Sequence, residues 1–432
     1  MRILFLSHYF PPEVNAPASR TFEHCREWVL RGHEVHVLTC VPNHPAGKIY
    51  PGFKNRILQH ELIDGIHVHR MFTAPAANAG FLGRSFNYSF YLLMATLVAP
   101  FLPKVDVVVS TSPQFFCGLA GYLVRLIKRV PWVLEIRDLW PESIVTVGAM
   151  AESRLTRALG WLESFAYRKA DAIVSVTESF VPHIEARGGH GKVSVITNGV
   201  DLAFYSPDAV SAANSTELAE EFGISGKFVA AYVGTHGMAH GLDTILRAAD
   251  RLRDVPDVVF LLAGDGAESG HLMQQRDEMR LGNVFIVGQQ PKERMPGIWG
   301  LTNVSLVLLR KRAAFESVIP SKIFEAMGMA RPIILGVRGE SERIVEASGS
   351  GICIEPENDA ELAAAVRQLA LDPDRVRALG DAGRRYVEAN YDRRRLAGRF
   401  EELLMRVTGT SAPAKRNPAI GSASAANEID RG

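Results

Sequence analysis

Short, uniformly apolar runs alternate with helical periodicity along nearly the whole chain. RILFLS, EVHVLT, VDVVVS, WVLEIR, DAIVSV and VSVIT fill the first half, and KFVAAYVG, VVFLLAG, NVFIVG, VSLVLL, PIILGV and GICIEP the second. A strand wetted on one face alternates polar and apolar residues. Runs without alternation predict strands covered on both faces of a parallel sheet, with helices between them. Each half therefore predicts a doubly wound α/β domain whose functional loops follow the carboxyl ends of its strands. The pattern breaks at TNGVDLAFYSPD, residues 197–208, and the polar AVSAANSTE that follows. This predicts a first domain over 1–199 and a second over 200–390, with a ligand-binding cleft between them. The last helical segment, 391–407, has no strand after it and is expected to return to the first domain. The Ala/Ser/Gly-rich residues 408–432 are expected to be a disordered tail.

Composition refines this picture in three ways. A length of 432 residues is more than one core usually supports. Residues 1–200 carry 20 Lys+Arg against 15 Asp+Glu, and the remainder 28 against 32, so the first half is the better candidate to meet an anionic partner. Cys25, Cys40, Cys117 and Cys353 are scattered without CxxC pairs, which predicts reduced thiols and a cytoplasmic location. FYLLMATLVAPFLP, residues 90–103, is too short and too interrupted by Pro100 to span a bilayer. Arg84, Lys104, Arg125, Lys128 and Arg129 surround it, with Asp106 the one acidic residue of 81–130. That segment is either a core helix with a basic rim or a peripheral contact with the inner face of the plasma membrane. His67 and His69 alternate on a probable strand and lack further ligands, and the only Asp-x-Asp, Asp372–Asp374, falls between late helices, so no metal site is expected. No nucleic-acid partner is expected either.

The stretch PSKIFEAMGMARPII, residues 320–334, carries the candidate chemistry. Pro320 and Ser321 predict a helix start, Gly328 and Pro332 its stop, and Lys322 and Glu325 share one edge of the first turn. The pair is either an exposed ion pair of small worth or a binding site. GTHGMAHG, residues 234–241, follows an apolar run and leads into a helix near Leu242, so its backbone can approach a phosphate closely.

Taken in order, YFPPE, RGHEVHVLT, RDLWPES, TNGVD, YVGTHGMAHGLDTILRA, LLAGDG and PSKIFEAMGMARPII resemble the retaining GT-B glycosyltransferases of family 4. FPPEVNAPASR, VPNHPAGKIYPGF and IRDLWPES are similar to the bacterial enzymes of O-antigen, capsule and colanic-acid synthesis, including the L-fucosamine transferase-like group. The resemblance covers residues 1 to about 405 and implies two Rossmann-like domains facing across a cleft.

It also implies roles for particular residues. Family members carry Arg and Lys in the glycine loop where this chain has Thr235 and His240, so Gly234, Thr235 and His240 would line the donor with fewer fixed charges. Lys322 would then supply the missing charge to the diphosphate, and Glu325 would accept from the ribose diol. The family's first donor glutamate is replaced by Ser317, beside Glu316. PPEVNAPASR, residues 11–20, would be a loop bringing Asn15, Ala16, Ser19 and Arg20 toward the acceptor or the leaving diphosphate. Where relatives have His-Asp this chain has Arg137-Asp138, leaving Asp138 to orient or deprotonate the acceptor hydroxyl and Arg137 to bind an anionic acceptor group or hold Glu135. The expected enzyme is a hexosyltransferase of metal-independent mechanism and without cofactor. It would move a sugar, an N-acetylated 6-deoxyhexosamine by subgroup resemblance, from a UDP-linked donor to a lipid-linked saccharide. A GT-B sugar epimerase and a non-catalytic nucleotide-binding module are the alternatives.

Overall fold

The computed structural model describes residues 1–13, 15–44, 47–75, 81–112, 114–141, 153–209 and 212–410. Residues 411–432 of the expected tail, and Glu142 and Ser143 of RDLWPES, lie outside the described residues. The strands are β1 (Arg2–Leu6), β2 (Glu34–Cys40), β3 (Leu58–Ile63), β4 (Ile66–Met71), β5 (Val107–Thr111), β6 (Trp132–Ile136), β7 (Ala172–Ser175) and β8 (Val193–Val195). They form one sheet in the order β3-β4-β2-β1-β5-β6-β7-β8. A second sheet, β11-β10-β9-β12-β13-β14, contains β9 (Phe228–Val233), β10 (Val258–Ala263), β11 (Val284–Val287), β12 (Val304–Leu308), β13 (Ile333–Gly336) and β14 (Gly351–Cys353).

Every apolar run predicted as a strand is one, and the central strands of both sheets pair in parallel. One strand, β3, was missing from the expectation, while β4 is the strand on which His67 and His69 alternate. β3 and β4 form an antiparallel hairpin on the sheet edge, turned by Asp64 (φ 49°) and Gly65 (φ 79°). β3 mixes half-buried and exposed positions, unlike the buried runs, whereas β4 is largely buried; Asp-Gly is the short-range signal that marks such a turn.

Packing divides the chain into two compact units: Met1–Ser110 with Leu119–Trp132 and Glu401 onward, and Thr111–Gly118 with Val133–Phe400. In the first, the final helix, Arg393–Thr408, contributes Glu401, whose carboxylate accepts from Arg31 Nη1 (3.1 Å) and meets His33 Nε2 (2.6 Å). In the second, strand order reverses between β9 and β12, so the loops after these strands diverge and leave room above the sheet edge. The glycine loop follows β9, and the residues leading to Lys322 follow β12.

Candidate active site

The helix bearing Lys322 runs from Lys322 to Gly328, as the spacing predicts, but Ser321 does not cap it by side chain. Its φ/ψ is already helical, and its carbonyl accepts from Phe324 N–H instead. Lys322 is not a surface residue: it is 9% exposed, and its ammonium has no hydrogen-bond partner. Nζ stands 3.6 Å from the centre of the Tyr232 ring and 2.9 Å from where a Cβ on Gly234 would sit. Gly234, at φ 139°, therefore leaves space that the lysine uses. Burial pulls the ammonium down to about 7, with Glu325 opposing.

Glu325 is half-buried one turn along. Burial pushes its carboxyl up, while Arg393, Lys322, the Trp299 indole and Lys292 favour the charged form. Lys322 and Glu325 thus project toward different partners rather than forming an exposed ion pair. An unpaired buried cation is costly unless a ligand completes it.

The glycine loop is shaped by backbone crossing. A Cβ on Gly264 would lie 1.9 Å from the Gly234 carbonyl oxygen, and one on Gly266 2.4 Å from that of His236. Thr235 is exposed, and its carbonyl accepts from the Tyr232 hydroxyl at 2.8 Å. His240 is half-buried and pulled down to about 4 by burial, with Lys322 acting in the same direction. His236, fully buried, pairs Nδ1 with Ser269 Oγ at 3.0 Å. Both imidazoles are lowered by burial, so Lys322 is the cation nearest the loop glycine. Ser317 is half-buried and Glu316 exposed on the turn before the helix.

The segment 11–20 differs from the expected loop. Asn15 Oδ1 accepts from Ala18 N–H at 2.9 Å and caps a helix, Ala16–Leu30, with a proline in its first turn. Ala16, Ser19 and Arg20 are therefore helical, and Arg20 is buried. Cap chemistry decided this: Asn before a proline-bearing first turn starts a helix.

At the end of β6, Ser112 Oγ accepts from Arg137 N–H at 2.8 Å, and Thr111 Oγ1 donates to the buried Glu135 at 2.6 Å. Asp138 opens to solvent, yet the surrounding protein pushes its carboxyl up to about 6, with Arg137 opposing. Trp140 packs on Phe115, ring centroids 6.2 Å apart. The Asp-x-Asp at 372–374 is taken up by helix capping: Asp372 accepts from Arg375 N–H and Asp374 pairs with Arg377.

Sequence reasoning missed Tyr232, Trp299, Lys292 and Arg393, which surround the Lys322–Glu325 turn. Tyr232, the lone hydroxylated residue in an apolar run ending at a glycine, was the one readable signal.

Residues 15–199 match the glycosyl transferase 4-like domain and residues 214–386 the glycosyl transferases group 1 domain. The putative colanic acid biosynthesis glycosyl transferase WcaI of Escherichia coli is 23% identical over 93% of this chain and 98% of its own. The probable glycosyltransferase WbjE of Pseudomonas aeruginosa is 25% identical over 66% of this chain and 71% of its own. Among solved structures, sucrose-phosphate synthase from Thermosynechococcus elongatus superposes with a TM-score of 0.75 at 18% identity, covering 95% of this chain and all of that one. Anabaena HepE in complex with UDP does so at 0.68 and 16%, covering 94% and 100%. With two glycosyltransferase domain models matched in order and two parallel-sheet Rossmann-like domains observed, the chain belongs to the family 4 GT-B glycosyltransferases.

Proposed function

We propose that this glycosyltransferase moves a sugar, with retention, from a UDP-linked donor to a lipid-linked saccharide in cell-surface polysaccharide synthesis. The unpaired Lys322 ammonium beside Gly234 carries the reading, because a diphosphate is the ligand that a buried cation at a glycine loop would complete. Glu325, on the same turn and half-buried, takes the ribose diol. The colanic-acid name of one relative and the UDP bound to HepE agree with this chemistry. An N-acetylated 6-deoxyhexosamine is the proposed sugar. Charge is neutralised without a metal ion or cofactor, and Asp138 orients the acceptor hydroxyl, while Arg137 serves an anionic acceptor group. Asn15 and Arg20 serve the acceptor or the leaving diphosphate from the start of their helix. Catalysis takes place on the cytoplasmic side, with the first unit resting on the membrane.

Calorimetry with UDP and with pyrophosphate tests the donor site. Lys322→Ala removes charge-assisted bonds worth about 1.5–3 kcal/mol, so both ligands should bind about 10- to 100-fold more weakly. Glu325→Ala should weaken UDP and leave pyrophosphate nearly unchanged. Parent-like UDP affinity in both variants would place the donor elsewhere.

A further inference from the structure

Glu340 stands at the first turn of the helix Glu340–Ser348 and is 6% exposed. Its carboxylate is held by the turn after β7. Oε2 accepts from Ser179 Oγ at 2.6 Å, from Ser179 N–H at 3.0 Å and from the Thr177 hydroxyl, and Oε1 accepts from Glu178 N–H at 3.1 Å. That turn is itself fixed, since Ser175 Oγ donates to the Thr177 carbonyl at 2.6 Å. One carboxylate thus takes two hydroxyls and two backbone amides, a set of charge-assisted bonds that locks both rotamer and position.

The other end of the same short stretch grips the segment before Lys322. Glu340 N–H donates to the Glu316 carbonyl at 2.9 Å, and Ser341 Oγ donates to that of Val318 at 2.7 Å. Gly339 is at φ 85°, and a Cβ there would stand 2.2 Å from the Glu316 oxygen, so the two backbones are in direct contact. Beyond Val318 the chain passes Pro320 and enters the helix whose first residue is Lys322. All of these residues belong to one packing unit, Val133–Phe400.

We propose that Glu340 is a positioning residue for the donor site: clamped by Thr177, Glu178 and Ser179, it fixes the Glu316–Pro320 segment and through it the placement of Lys322 and Glu325. The motif reading gave Glu340 no role, and its backbone alone could hold Glu316. A buried carboxylate with four donors is more than a helix start needs. The proposal rests on the donor reading above.

UDP titration of the folded protein tests it, with Tm recorded beside each affinity. Glu340→Gln keeps the shape but turns an NH2 toward donors, and should weaken UDP about 10-fold. Thr177→Val with Ser179→Ala, which empties the clamp from the other side, should do the same. Combining both sets should cost little more than either alone, because they break one unit. A purely structural role predicts the opposite split: lower Tm with unchanged UDP affinity in the folded fraction, and that result overturns the proposal. Should Glu340→Gln fail to fold, Ser179→Ala alone, which leaves the backbone amides in place, carries the same comparison. Lys322→Ala serves as the control. If it too binds UDP like the parent, the donor reading fails, whereas weakening by Lys322→Ala alone rejects only the role of Glu340.

Discussion

Lys322 destabilises the fold that holds it. Its ammonium is buried, unpaired except for the face of Tyr232, and pulled from 10.5 to about 7. The unfolded chain therefore binds a proton more readily than the folded one between pH 7 and 10.5, and stability from this group rises with pH across that window. Replacement by an apolar side chain of similar length should remove the penalty. Lys322→Met is expected to raise the ligand-free Tm by about 2–4 °C or more at pH 6–7, with the gain shrinking as pH approaches 10. Scanning calorimetry at pH 6.5 and 9.5 checks it; an equal gain at both values would mean packing, not charge, is responsible. The same titration sets the sign for the proposed ligand: affinity for a diphosphate should be highest below pH 7, where the lysine is charged, and fall above it.

At the scale of elements, the helix Phe81–Val98 and the turn Ala99–Phe101 after it show an apolar face that is exposed among the described residues. Phe86 (62% exposed), Leu93 (53%), Leu97 (56%) and Phe101 (80%) recur at helical spacing, while Tyr91, Ala95, Val98 and Leu102 face inward. Among the described residues no helix is long and apolar enough to cross a membrane. The stripe suits contact with a lipid surface. Lys128, one of the basic residues flanking it, donates to the carbonyls of Leu102 and Pro103 at 2.5 and 3.1 Å. The side chain of Arg84 lies outside the described residues. Apolar contact should therefore dominate, and Leu97→Glu with Phe101→Glu should weaken binding to anionic vesicles, read by co-sedimentation, about 10²- to 10⁴-fold, since each buried side chain contributes about 1.5–3 kcal/mol. Unchanged sedimentation would assign the stripe to another partner.

Elements were legible to differing degrees for a physical reason. A strand covered on both faces must be apolar throughout, so β9 and β10 announce themselves, whereas the edge hairpin β3–β4 shows only alternation and its Asp64–Gly65 turn. Lys322 and Glu325 were visible through three-residue spacing on one helix. Arg393 and Trp299 reach Glu325 from distant parts of the chain, and no local pattern encodes that convergence. The segment around Asn15 was misread because the resemblance suggested a loop where the cap residue favours a helix.

Over the whole molecule, the chain's final helix is tied to its beginning. Glu401, 6% exposed, bonds to Arg31 and to His33, whose side chain is fully buried, and His33 also meets the Met1 amine at 3.1 Å. Bonds to charged groups of this kind contribute about 1.5–3 kcal/mol, more when a buried partner is left behind. Glu401→Ala should lower Tm by a few degrees without changing UDP affinity, because these residues pack in the first unit and Lys322 belongs to the second. Thermal melts with and without UDP check this, and a Tm within one degree of the parent would show that the apolar face of the helix suffices.

The crossing of Gly234 and Gly264, with Gly266 against His236, bears on how the proposed donor site could be re-engineered. These glycines are locked by one another's backbones, so substitution there collapses the loop whatever the sugar. Variation in a library is better tolerated at exposed positions of the loop, Thr235 and Met238, the latter 70% exposed. A search for altered sugar transfer is best confined to those two positions, with the glycine frame held constant.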